Sequence, residues 1–136
     1  MNDPIAPFPG TLIKIGVPRE SVRQTYGSAY SEFLRTPMST SPTGKVGGDV
    51  FLVYDEEDRV ELIEIFDPLF VTNPAVLVPF PLEYHILKEY LTTEPHRVSV
   101  EDAIVFDHMG AVLTVDDDER KVTILSIARP WYFDYL

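Results

Sequence analysis

Alternation of apolar and polar residues marks two stretches of this chain as β-hairpins. In the first, residues 49–54 and 59–66 flank the turn Asp55-Glu56-Glu57-Asp58, and the period of two on either side predicts paired strands. Glu61, Ile63 and Ile65 share one face of the second strand, and Val60, Leu62, Glu64 and Phe66 share the other. Both faces are largely apolar, so this strand is expected inside a sheet with cover on both sides. The second hairpin runs over 111–115, the turn Asp116-Asp117-Asp118-Glu119, and 121–128. Short strands are also expected over 11–15, 97–100 and 103–106.

Helical spacing occurs twice. After Pro18, which suits a first turn, Val22 and Tyr26 stand at i and i+4, and Gly27 is placed to end the helix. Ala29, Tyr30 and Phe33 are expected to add an irregular turn. A second helix over 82–91 carries the stripe Leu82, Ile86 and Tyr90, and the run Thr92-Thr93-Glu94-Pro95 stops it. Residues 1–10 carry three prolines and predict an extended lead-in. The Ser, Thr, Pro and Gly of 36–48 predict a loop. Its Thr43-Gly44-Lys45 lacks the spacing of a phosphate-binding loop. Pro68, Pro74, Pro79 and Pro81 punctuate a connection between the two halves.

The halves read as one unit written twice. The segment from Tyr54 to Pro68 lies without gaps over the segment from Asp116 to Pro130. Asp55/Asp117, Glu57/Glu119, Val60/Val122, Ile65/Ile127 and Pro68/Pro130 are identical, and a Val-Pro pair (Val17-Pro18, Val78-Pro79) precedes each helix. This predicts one domain over 1–136 made of two repeats, about 11–72 and 73–136. The expected fold class is α+β: each repeat a helix with antiparallel strands, both helices on one face of a shared sheet.

Composition narrows the function. The 136 residues are 45% hydrophobic and 12% aromatic, enough for a packed interior. There is no cysteine, which removes disulfides, zinc-thiolate sites and thiol nucleophiles. The formal net charge is −11, from 22 acids against 11 bases. That sign disfavours nucleic acid, whose phosphates require cations, and anionic membrane surfaces. It suits steering toward a basic partner. No signal peptide or membrane span is legible, so a cytoplasmic location is expected.

Candidate chemistry is sparse. His85, His96 and His108 lack the i, i+4 pairing of a zinc helix, and adjacent Asp107 and His108 point to opposite faces if extended. The contiguous acids of the two turns lack the alternation and glycine of a calcium loop. No serine sits in a nucleophile motif. No cofactor or metal is expected. The aromatic end, Trp131, Tyr132, Phe133 and Tyr135, exceeds what one strand face can bury. It predicts either a clasp over the core or a partner-facing surface.

Two sets of residues carry resemblances. Ile15-Gly16-Val17-Pro18-Arg19-Glu20-Ser21-Val22, with Tyr26-Gly27 and the stretch from Val53 to Val60, resembles the repeat of the outer-membrane lipoprotein SmpA family and that of the beta-lactamase inhibitory proteins. The stretch from Ile104 to Leu113, with Ser126 to Phe133, is similar to small bacterial proteins that include immunity proteins of secreted toxins. The resemblances imply a helix packed on antiparallel strands and a non-catalytic binding role. Together with the charge they lead to an expected inhibitor or immunity protein that neutralises a basic toxin or effector domain by occlusion. Its expected contact residues are Tyr54, Asp55, Glu56, Glu57, Asp58, Asp116, Asp117, Asp118, Glu119, Trp131 and Tyr132. The alternatives are a small metal-dependent or acid/base hydrolase using His108 with nearby carboxylates, and a housekeeping interaction module.

Overall fold

Eight antiparallel strands form a single sheet in the computed structural model, which describes residues 13–68 and 80–136. Helix α1 (Arg19–Tyr26) leads through a short 3-10 turn into β1 (Tyr30–Phe33), β2 (Thr43–Val46), β3 (Val50–Tyr54) and β4 (Val60–Phe66). Helix α2 (Tyr84–Tyr90) precedes β5 (Arg97–Val98), β6 (Ile104–Phe106), β7 (Ala111–Asp116) and β8 (Lys121–Ala128). The order across the sheet is β1-β2-β3-β4-β8-β7-β6-β5, so the strands that end each half meet in the middle. The fold class is therefore α+β with one antiparallel sheet.

The central pairing has a regular register. Glu64 lies opposite Ser126, flanked by Ile63 opposite Ile127 and Ile65 opposite Leu125. Leu62 opposite Ala128 then matches Phe66 opposite Ile124. The offset that carries Tyr54 onto Asp116 carries Leu62 onto Ile124 and Phe66 onto Ala128. Both hairpins also slip register just before the turn, between Val53 and Tyr54 and between Thr114 and Val115.

That slip corrects the expected facing of β4. Val60 was assigned to the face opposite Ile63 and Ile65, yet all three are buried in one core cluster. The extra residue of a bulge shifts the alternation by one position. The cluster also holds Leu52, Leu113, Val122 and Leu125, together with Val22 and Tyr26 of α1 and Leu87 of α2. Burying one such leucine contributes roughly 2 kcal/mol. A smaller cluster on the second face joins Val105, Val112, Ala128 and Phe133.

Other expectations shift with tertiary context. Tyr30–Phe33 is a strand, not a helical turn, and β2 forms inside the expected loop over 36–48. Gly44 permits this: a Cβ there would sit 2.7 Å from the Tyr30 hydroxyl and 3.0 Å from that of Tyr54. Ile13 to Ile15 are not a strand, although Ile13 is buried; residues 11–12 of that expected strand lie outside the described residues. In α2 the core residue is Leu87, fully buried, while Ile86 is 41% exposed. Leu82 precedes the helix, so it does not set the phase of the stripe. The strand expected over 97–100 ends at Val98. The lead-in over 1–10, most of the connection between the halves and the pair Val78-Pro79 also lie outside the described residues.

Candidate functional site

The two acidic turns lie at opposite ends of the sheet. One precedes β4 and the other precedes β8, and these neighbours run antiparallel. Residues expected to form one recognition surface are thereby split in two. In the first turn Asp55 Oδ1 accepts the backbone N–H of Glu57 at 2.9 Å and of Arg59 at 3.0 Å, and Asp58 takes a left-handed conformation (φ 63°). In the second, Asp116 Oδ1 accepts the N–H of Glu119 at 3.0 Å, and Arg120 is the left-handed residue (φ 54°). Asp117 accepts the Tyr84 hydroxyl at 2.8 Å and faces Lys88 Nζ at 3.3 Å. The tyrosine hydrogen bond and then the lysine hold the Asp117 carboxyl below its ordinary range. Glu119 pairs with Lys121 at 3.1 Å. Glu56, Glu57 and Asp118 are exposed.

Tyr54 is a correction. Expected to offer outward contact area, it is only 6% exposed because its ring is the seat of the Arg19 guanidinium, 3.9 Å away. Arg19 itself is 4% exposed. Its Nε donates to Asp58 Oδ1 and one Nη to Glu32 Oε2, both at 2.7 Å. The same Nη reaches the Pro42 carbonyl at 3.1 Å, and the other donates to Ser41 Oγ at 2.7 Å. Glu32 also accepts the Tyr30 hydroxyl at 2.6 Å and Arg23 at 2.8 Å. Burial alone would raise the Glu32 carboxyl, but these three donors bring it down to about 2. Burial works against the charge on Arg19 as well, and its two carboxylates outweigh it.

Beside this network opens a cleft of about 540 Å³, lined by Arg19, Arg23, Thr40, Ser41, Pro42, Asp55, Glu56 and Asp58. Its arginines are engaged by carboxylates of the fold, and Ser41 Oγ is occupied in accepting from Arg19. His85 is highly exposed, His96 Nδ1 lies 2.9 Å from its neighbour's backbone, the Glu94 carbonyl, and His108 is exposed in the 3-10 turn Asp107–Met109. Among the described residues no group of His, Asp and Glu is arranged to hold a metal.

The aromatic end divides between core and surface. Phe133 is 5% exposed within the second-face cluster, and Tyr132 meets its ring edge-on at 5.1 Å. Burial and then Glu61 push the Tyr132 hydroxyl upward. Trp131 is 57% exposed and Tyr135 71%. Arg97 secures the segment: it grips Asp107 in a two-point pair at 2.6 and 3.0 Å, donates to the Phe133 carbonyl at 3.0 Å and also to that of Leu136. In the N-terminal half the second face carries a cleft of about 310 Å³ lined by Phe33, Arg35, Phe51 and Phe66, with Arg35 paired to Glu64.

Arg19, Glu32, Arg97 and Asp107 organise these regions, yet nothing in their local sequence marks them. Arg19 looks like any exposed first-turn residue, and its partners lie up to 39 positions away. No family model, curated protein or solved structure matches the chain. Among the described residues no helix is long and apolar enough to cross a membrane.

Proposed function

We propose that this chain is a duplicated, non-catalytic protein-binding module that neutralises a basic partner by covering its working surface, as an immunity protein covers a toxin. The duplication is supported by the register of β4 on β8, which repeats the sequence offset between the halves. Both helices feed one core cluster, in keeping with their lying on one face of the sheet.

The observation that carries the binding role is the division of the ionisable groups. Those with defined contacts, such as Glu32, Arg19, Arg97 and Asp107, are consumed in holding the fold together. Among the acids left to water, Glu56, Glu57 and Asp118 crown the turns, while His85, His96 and His108 sit on different elements. Exposed carboxylates of this kind raise encounter rates with a cationic partner and contribute little to stability.

Because the turns lie at opposite ends, they can be tested separately. A partner is first isolated by affinity capture from the native host and mass spectrometry, then mixed with the protein in stopped flow. Reversing Glu56 and Glu57 to lysine, or Asp118 and Glu119 to lysine, is expected to slow association about tenfold at low salt for the turn that faces the partner. The salt dependence should fall with it. Unchanged rates for both reversals would refute steering by the turns.

A further inference from the structure

We infer that the contact surface is the end of the sheet that carries both the C-terminal segment and the first acidic turn, with Trp131 as its anchor. The fitting partner is a protein surface presenting an apolar pocket ringed by lysine or arginine. The inference rests on the binding role proposed above and narrows it to one of the two ends.

Three observations converge there. First, Leu62 pairs with Ala128, so the start of β4 and the end of β8 share an end of the sheet, the end that carries both the turn Asp55–Asp58 and the segment leading to Trp131. Second, Trp131 is presented and not merely left over. It has φ 66°, a conformation that bulky residues rarely adopt, and its N–H donates to the Asp107 carbonyl at 2.8 Å. Asp107 is fixed in turn by Arg97, and Phe133 is buried two residues further on. An exposed indole on so constrained a backbone loses little freedom on binding. Third, this end carries acids: Glu61 lies against Tyr132, and Glu56 and Glu57 are exposed on the turn at the same end. Of the cations beside this segment, Arg129 is stacked over Tyr132 at 5.6 Å and Arg97 is engaged by the Asp107 carboxylate.

Charge selects among occupants. A second copy meeting this patch face to face would set acid against acid, and nucleic acid or anionic lipid would be repelled. A basic protein is attracted, and a buried tryptophan with an acidic rim is the composition from which interface hot spots are built.

Trp131 is the chain's one tryptophan, so its emission reports on this surface alone. A random peptide library is panned on the intact protein, and the enriched peptides are titrated against wild type and Trp131→Ala. Support requires peptides that carry lysine or arginine around an aliphatic or aromatic residue, shift Trp131 emission to the blue, and bind Trp131→Ala about tenfold more weakly or worse. Peptides that leave the emission unmoved and bind Trp131→Ala equally would overturn this surface while leaving a binding role at another face. Enriched peptides without basic residues would overturn the partner chemistry, and a panning that enriches nothing would count against both the surface and the binding role.

Discussion

On the second face of the sheet, Phe51 and Phe66 of the N-terminal half stand where Val112 and Ala128 stand in the C-terminal half. The equivalence follows from register: Phe51 lies between Lys45 and Glu64, and Val112 between Val105 and Ser126. In the N-terminal half the strands supply the bulk themselves. Phe51 meets Phe33 at 5.7 Å and Phe66 at 5.1 Å, both edge-on. In the C-terminal half the strand residues are small, and Phe133 fills the space from the chain end. The two halves complete this face differently, with ring volume taken from β-strands in one and from a returning segment in the other. The arginines divide similarly: Arg19 is buried within a network of carboxylates, whereas Arg97 is a partly exposed clip.

The largest expected difference between the halves lies in those arginines. Replacing Arg19 by leucine strands Glu32 near Tyr30 and Tyr54 with one of its cations gone, and should cost about 3–5 kcal/mol in urea denaturation. Arg97→Leu should cost about 1–2 kcal/mol, since water can reach Asp107 and the freed carbonyls. Equal losses would abolish the distinction between an interior network and a surface clip.

A smaller effect separates the rings. Phe133→Ala opens a void over Val105, Val112 and Ala128 and should cost about 3 kcal/mol. Phe51→Ala should cost about 1 kcal/mol, because its half-buried ring already borders an open cleft. If the order reversed, the aromatic face of the N-terminal half would be the tighter one.

The smallest effect is in acid. Glu32 is held at about 2 in the fold, against 4.5 as its unperturbed value. A depressed carboxyl stabilises the folded state fully above its unfolded value and loses that contribution as pH falls from about 4.5 toward 2. Thermal scans over this window should show the wild type losing stability more steeply than Glu32→Gln. Parallel curves would place the acid sensitivity elsewhere.

The sequence by itself determined the two hairpins, their acidic turns and the offset relating them, because alternation and turn chemistry act over a few neighbouring residues. It also placed both helices to within a few positions. The course of Tyr30–Phe33 and Thr43–Val46 was not legible: Gly44 reads as a loop residue until Tyr30 and Tyr54 close over it. The same holds for the burial of Arg19 and for Leu87 in place of Ile86. Local pattern could not say that the acidic turns part to opposite ends, since that depends on β4 and β8 pairing antiparallel across 62 positions, as Glu64 does with Ser126. Nor could it assign Phe133 to the interior and Trp131 to water. Those outcomes are set by contacts between distant segments, whose energies arise only when the whole sheet is assembled.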